Sequence, residues 1–379
     1  MRITVHDSIS EIGADDWNSV AGSRFPFLRY EFLHTAENTG SVSPAEGWQP
    51  RHLVARYADG RIRAALPLYE KQHSWGEFVF DWAWAQAYER AGLDYYPKLV
   101  STVPFTPATS TKLLRRNPDD TEIAGILLDA AIALAGELEC SSVHILFPEQ
   151  EETSLMEQAG FLLRKDCQFH WRNRNYNDFD EFLATFSSAK RKKARRDRRR
   201  VSEAGIRFRR LSGAELTPPL WETVYDLISR TFMRRGSLPY LRREFFSEIS
   251  RLLPENILVV LAETGEEAVA AAVFFVSEEA LYGRYWGSTG HYNALHFETC
   301  YFQGIDYCIE HNISRFEPGT QGEHKVSRGF TPATTWSCHW LAQPAFLAAI
   351  DDYLNEEGQH VERYMQAVDE HSPYRKDGN

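Results

Sequence analysis

The chain has 379 residues, 43% hydrophobic and 25% charged, with a net charge of −11. At roughly 100–200 residues per domain this length predicts two domains, and the composition excludes disorder, a collagen repeat and a small disulfide scaffold. The longest strongly apolar stretch, Val269 to Val276, is far short of the roughly 20 residues that cross a bilayer, so no membrane span is expected.

The N-terminus turns polar at once, which predicts no signal peptide. Five scattered cysteines (Cys140, Cys167, Cys300, Cys308, Cys338) fit a reducing compartment, and a cytoplasmic protein is expected.

In chain order, Asp15 to Asn38 reads as helical. His52 to Tyr57, Arg61 to Tyr69 and Glu77 to Trp82 read as strands, the first two joined by Ala58-Asp59-Gly60. An Ala- and Leu-rich helix, Thr121 to Glu139, leads to the strand Ser142 to Phe147. In the segment Phe169 to Gly205, Asp178 reads as an N-cap with Glu181 three residues later, followed by a helix-compatible run. That run includes Lys190 to Arg200, KRKKARRDRRR, with nine basic residues and one acid, which leaves −19 on the rest of the chain.

Pro218 to Leu253 reads as helical. Ile257 to Glu263, Ala268 to Val276 and Ala280 to Trp286 form an antiparallel meander with Gly265 in its first hairpin. The helix Ala294 to His311 and the strand Ser314 to Glu317 complete the pattern. Each half is three strands, a helix and a strand, which is an internal duplication of architecture. The predicted fold is α/β (α+β), with two copies of a mixed, mostly antiparallel sheet flanked by helices. The predicted boundaries are a first domain at 1–168, a junction with the basic helix at 169–205, and a second domain at 206–379.

Several segments resemble the bacterial FemAB-like family of predicted N-acyltransferases. They are Tyr95-Tyr96-Pro97-Lys98-Leu99, Val103-Pro104-Phe105-Thr106-Pro107, Leu281 to Gly287 (LYGRYWG), Leu295 to Tyr301 (LHFETCY), and Phe316 to Lys325 (FEPGTQGEHK) with Arg328-Gly329-Phe330. The resemblance runs from about Gly22 to Arg375. It implies tandem GNAT-type (acyl-CoA N-acyltransferase) folds, as in the aminoacyltransferases that build peptidoglycan cross-bridges. GNAT enzymes hold the coenzyme A pyrophosphate on a Gln/Arg-x-x-Gly-x-Gly/Ala loop before a helix. The equivalent loop here, Gly287 to Asn293, offers Gly287 and Gly290 without the strict pattern. Acyl-CoA and aminoacyl-tRNA therefore both stand as donors, with an amine as acceptor.

Donor phosphates are expected on Lys190, Arg191, Lys193, Arg195, Arg196 and Arg199, because clustered cations release counterions on binding polyanions. A solvated, purely structural helix is the alternative. The block after the strand at Glu317 concentrates polar groups among Gly319, Gly322 and Gly329. N-acylation needs a base for the acceptor amine, and Glu323 or His324 is the candidate. Gln321, Lys325 and Arg328 are expected to bind substrate, unless Arg328 pairs with a carboxylate to shape the loop.

Glu298 and Tyr301, three residues apart on a helix, are further catalytic candidates at the sheet opening; burial in a hydrogen-bonded network is the other reading. His296, Cys300 and His311 lack a metal spacing, so no metal is expected. Arg284, beside Tyr285 on an apolar strand, calls for an anionic partner, either substrate or Glu317. Asp81, Tyr96 and Lys98 are expected to wall an acceptor pocket at the domain interface. Cys300 and Cys308 read as core residues, which favours direct attack over a covalent acyl-enzyme. Two other classes remain open: an RNA- or polyanion-binding module without catalysis, and a scaffold that binds peptidoglycan precursors.

Overall fold

The computed structural model describes residues 1–320 and 322–375. The chain divides into two compact units. Unit 1 comprises Met1–Asp166 and Thr334–Glu362, and unit 2 comprises Cys167–Ala333 and the segment from Arg363. Residues 334–362 therefore join the first unit rather than the second, and the basic helix lies inside unit 2 rather than at a junction. Among the described residues, no helix is long and apolar enough to cross a membrane.

Unit 1 opens with strand β1 (Arg2–His6) and helices α1 (Ala14–Ala21) and α2 (Tyr30–Asn38). Strands β2 (Trp48–Pro50), β3 (His52–Arg56), β4 (Ile62–Leu66) and β5 (Tyr69–Lys71) follow, then helix α3 (Trp82–Arg90) and strands β6 (Lys98–Ser101) and β7 (Leu114–Arg115). Helix α4 (Thr121–Glu137), strand β8 (Ser142–Leu146) and helix α5 (Gln150–Gln158) lead to the long strand β9 (Leu162–Arg172), whose last residues belong to unit 2. Antiparallel pairings join β1, β3, β4 and β7, and also β2, β5 and β6, while β6 runs parallel to β8. Helix α4 starts where the Asp120 carboxylate accepts the Ile123 N–H at 3.2 Å. Its buried residues, among them Ile123, Leu127, Leu128, Ala131 and Leu134, form one apolar face that packs on Leu53, Leu66, Leu99 and Ile145.

Unit 2 repeats the plan. Helices α6 (Phe179–Ala184) and α7 (Ser188–Glu203) precede strand β10 (Ile206–Ser212) and helices α8 (Pro218–Met233) and α9 (Arg243–Leu252). Strands β11 (Ile257–Thr264), β12 (Glu267–Val276) and β13 (Ala280–Ser288) form the expected antiparallel meander on β10. After helices α10 (Leu295–Phe297) and α11 (Gln303–Glu310), strand β14 (Arg315–Glu317) lies parallel to β13 and antiparallel to β9. Strand β15 (Thr331–Leu341) and helix α12 (Pro344–Asp369) complete the chain; within unit 1, β15 pairs with β8. The duplicated GNAT-like arrangement is thus present: each unit carries an antiparallel meander whose last strand takes a parallel neighbour after a crossover helix. The core of unit 2 gathers Trp171, Phe182, Phe274, Leu281, Phe316 and Phe330.

The N-cap at Asp178 forms as expected, accepting the Glu181 N–H at 2.7 Å. One predicted strand does not form. Residues 77–81 lie outside any strand, and Trp82 starts α3. Gly76 and Phe78 take left-handed backbone angles (φ 83° and 61°), which break an extended run, and the carboxylates of Glu77 and Asp81 turn inward onto Lys98.

Candidate functional site

The parallel register between β13 and β14 covers three residue pairs, Ala280 with Arg315 to Tyr282 with Glu317. Beyond them β13 runs on to Ser288 while β14 stops, so their pairing ends there. At this point β13 also bulges: Val273 faces Tyr285 and Phe274 faces Gly283, which leaves Arg284 as the extra residue. Tyr285 packs on Phe246 (ring centroids 5.4 Å apart), whereas Trp286 meets His296 at 5.2 Å. Burial pulls the Arg284 guanidinium below its usual range, and Tyr285 and Glu317 oppose that shift. Glu317, the internal acid among the expected partners, acts on Arg284 through its charge, while its close ion pair is with Arg315 at 2.7 Å.

The helix after β13 contains a π-turn, Glu298–Phe302, between α10 and α11. In an ordinary α-helix, residues five apart leave a common face; the wider i→i+5 turn stacks them. The Gln303 amide thus donates to the Glu298 carboxylate at 2.7 Å, and the His296 ring meets that of Tyr301 at 5.3 Å. Glu298 is 3% exposed and also accepts from Arg198 at 3.1 Å, with burial pushing its carboxyl up. Its partners place it in an inner ionic network with Arg198 and Asp306.

That loop closes in a 3-10 turn, Glu323–Arg328. The His324 Nε2 lies 2.8 Å from the Tyr301 hydroxyl. Although His324 reaches the surface, partial desolvation, helped by Lys325 and Arg328, holds the imidazole below its ordinary value, so it is neutral at pH 7. Burial raises the Tyr301 phenol, which stays protonated and, in the His324 tautomer whose Nε2 carries no proton, donates to that nitrogen. Gly322 makes room for the ring: it adopts φ 115°, and a Cβ there would come within 2.3 Å of His324 Cε1. His296 completes the cluster, its pKa lowered to about 4 by burial and by the nearby His324, Arg328 and Lys325.

The surrounding cations act as staples. Lys325 is 2% exposed and donates to the Gly319 carbonyl at 2.6 Å, with its pKa lowered to about 7 by burial. Arg328 donates to the His324 carbonyl at 2.7 Å, lies 3.5 Å over the Phe297 ring and approaches Asp197 at 4.0 Å. These contacts favour the shaping role for Arg328, and they engage Lys325, expected to bind substrate, with the loop's own backbone. Glu323 is exposed and accepts from the Tyr364 hydroxyl at 3.1 Å. Gln321 lies outside the described residues.

Helix α7 turns Ala194, Asp197 and Val201 inward and exposes Lys192, Lys193, Arg195, Arg196, Arg199 and Arg200, with Lys190 and Arg191 half-buried. Arg195 pairs with Asp180 and Arg199 with Glu203. Gly287, expected in a phosphate-binding nest, is buried instead: a Cβ there would come within 1.8 Å of the Leu227 carbonyl, so packing of α8 demands the glycine. Gly290 is exposed. Burial raises the Cys300 and Cys308 thiols, which disfavours a thiolate nucleophile. Among the described residues no cluster of three or more His, Cys, Asp or Glu is placed to hold a metal.

The sequence matches the FemAB-like family, described as peptidoglycan biosynthesis/recognition, over residues 8–376. The chain belongs to the FemAB-like family. A comparison with curated proteins finds no match. Among solved structures, the C-terminal domain of a protein assigned as a lysylphosphatidylglycerol synthetase from Agrobacterium fabrum is similar at 10% identity and TM-score 0.57, covering 92% of this chain and 97% of its own. FemX is similar at 12% identity and TM-score 0.55, covering 93% and 100%. L-PGS from Bacillus licheniformis follows at 12% identity and TM-score 0.51, covering 84% and 95%. At these identities the likeness is one of fold.

In this FemAB-like chain, Asp81, Tyr96 and Lys98 assemble within unit 1. Lys98 is fully buried and donates to Ser74 Oγ at 2.8 Å, Glu77 Oε2 at 2.8 Å and Asp81 Oδ2 at 2.5 Å. Tyr95 donates to the same Asp81 oxygen at 2.7 Å, and the Tyr96 hydroxyl meets Ser74 Oγ at 2.8 Å. Cross-strand register carries the network onward to His144 and His339, whose Nδ1 atoms are 2.6 Å apart.

Lys71, also fully buried, lies 3.6 Å over the Trp48 ring with its pKa lowered to about 7 by burial. A lysine held below its unfolded value is destabilising while charged; the penalty is full below pH 7 and fades as pH rises toward the unfolded value near 10.5. Lys71→Met is therefore expected to raise the melting temperature more at pH 6 than at pH 10. Equal gains in melts at the two pH values would show that the buried charge is not the cause.

Proposed function

We propose that this FemAB-like protein transfers an acyl or aminoacyl group to an amine of a peptidoglycan precursor beyond the end of the β13–β14 pairing, with His324 as base and Tyr301 as relay. The observation that supports the reading most directly is the 2.8 Å contact between the Tyr301 hydroxyl and a neutral His324. The acceptor amine attacks the acyl carbonyl carbon and passes a proton to Tyr301 Oη as the Tyr301 proton moves to His324 Nε2. The carbon–nitrogen bond forms, the bond to the donor's leaving group breaks, and the imidazolium returns the proton to that group. Tyr301 stays neutral throughout, as its raised pKa requires.

The exposed cations of α7 favour aminoacyl-tRNA over acyl-CoA as donor. From Lys192 to Arg200 they extend about 12 Å along the helix, a span that suits several consecutive phosphates. The test combines transfer and binding. Purified protein with a sugar-free amine is offered charged tRNA or acetyl-CoA, and tRNA binding is titrated with salt for wild type and for a Lys192→Gln, Lys193→Gln, Arg196→Gln, Arg200→Gln variant. Charged tRNA is expected to support transfer, and the variant to bind at least tenfold more weakly with a shallower salt dependence. Turnover with acetyl-CoA alone would overturn the donor assignment. Salt-sensitive tRNA binding with neither donor reacting would favour the polyanion-binding module.

A further inference from the structure

Unit 1 displays large aromatic side chains on one short segment. Trp75 is 63% exposed, Phe80 56% and Trp82 38%, and the Trp75 and Trp82 rings meet edge to face at 5.3 Å. Their segment is held firmly. Lys71 donates to the Trp75 carbonyl at 3.3 Å, Arg164 donates to the Phe80 carbonyl at 2.9 Å, and Lys98 grips Ser74, Glu77 and Asp81 from beneath. Phe78, between the tryptophans, sits in the left-handed region at φ 61°. Backbone in that region is costly for a bulky residue and persists where surroundings impose it, commonly at ligand sites. A protein that buries ions and strains its backbone to hold aromatics in water has built a contact surface.

We propose that Trp75, Phe80 and Trp82 form a platform for the pyranose rings of a peptidoglycan precursor. The proposal rests on the reading that the acceptor is such a precursor. A pyranose offers an apolar C–H face that an aromatic ring covers, with hydroxyls at its rim. The rim finds partners here, since Gln86 and Glu89 are exposed one and two turns beyond Trp82 on the same face of α3.

Two other occupants fit less well. The exposed charges of α3 and the turn after it are Glu89, Arg90 and Asp94, a net acid on a chain of charge −11, whereas docking on anionic lipid calls for flanking Lys and Arg. The three side chains expose roughly 250–400 Å² in total, below the roughly 800 Å² per partner of a stable dimer but suited to one or two sugar rings.

Isothermal titration calorimetry with a soluble GlcNAc-MurNAc-pentapeptide and with the free pentapeptide tests the platform in the full chain. Wild type is expected to bind the sugar-bearing fragment more tightly than the peptide. Trp75→Ala with Trp82→Ala should weaken the fragment at least tenfold and leave the peptide unchanged, with circular dichroism and melting confirming the fold. Equal affinity of wild type and variant for the fragment, or no binding by wild type, overturns the proposal. So does tryptophan-dependent binding to phosphatidylglycerol vesicles or tryptophan-dependent self-association. Transfer to the sugar-free amine is scored separately: transfer without a sugar preference sinks the platform alone, and a sugar preference without transfer from any donor sinks the catalytic reading alone.

Discussion

His324→Ala is expected to lower kcat/KM for acyl transfer by about 10²–10⁴, the range typical of a positioned general base, while the protein keeps its fold. His324 is exposed and its backbone is held by Arg328, so losing the ring leaves the loop's staples in place. Tyr301→Phe removes the hydroxyl that meets His324 at 2.8 Å and should cost at least tenfold. Glu323→Ala is the control: its carboxylate is exposed and receives the Tyr364 hydroxyl, so a change below about threefold is expected.

The pH profile separates a base from a structural residue. Burial and the neighbouring cations hold His324 below 6.5, so the imidazole is the free base at neutral pH and is lost as acid protonates it. Activity should fall tenfold per pH unit on the acid side of that lowered value, and His324→Ala should lack this limb. An acid limb that survives in His324→Ala, or retained activity in that variant, assigns the base elsewhere. Gly322→Ala offers a geometric check, because its Cβ would displace the ring it now clears.

Much of the architecture was legible because hydrophobic runs and turn residues state it locally. The meander at 257–288, the helix at 121–137 and the Asp178 cap follow from alternation, a broad apolar face and a side-chain acceptor before a helix. The block after Glu317 was recognisable as a polar loop with glycines. The way the site assembles was not legible, because it depends on a π-turn. By α-helical spacing Glu298 joins Tyr301 and His296 turns away; the extra residue per turn sends Glu298 to Arg198 and Gln303 and brings His296 against Tyr301. No residue type announces such a turn.

Lys325 and Arg328 show a related limit, since charged side chains in a loop look available until burial reveals them as staples. The segment 77–82 reads as a strand by its alternating aromatics, yet Phe80 and Trp82 face solvent while Glu77 and Asp81 face inward. The partner that inverts the pattern, Lys98, lies some twenty residues further on. The return of 334–362 to unit 1 depends on the pairing of β15 with β8, a long-range contact that local periodicity does not encode.

Lys98→Met is expected to produce the largest loss of stability, about 3–5 kcal/mol, because it leaves Glu77 and Asp81 buried without their cation. Both carboxylates are nearly inaccessible (2% and 3% exposed), and each has a second oxygen, Glu77 Oε1 and Asp81 Oδ1, that makes no hydrogen bond. In the wild type, burial alone would raise the Asp81 carboxyl, but Lys98 together with His144 and Ser74 outweighs it and holds Asp81 below its usual range; Glu77 is raised to about 7 by burial. Without Lys98 both carboxyls move up, so the folded variant binds protons more readily than its unfolded chain. Its stability then falls as pH rises through the window above the unfolded values of about 4. The defect should be larger at pH 8 than at pH 5, read as the gap between wild-type and variant urea midpoints. Removing the charges together, as Lys98→Met with Glu77→Gln and Asp81→Asn, should recover part of the loss, since a buried ionic cluster replaced as a whole costs less than one stripped of a single member. A loss below about 1 kcal/mol, or a pH-independent one, would mean that the network is not what fixes the segment bearing Trp75 and Trp82.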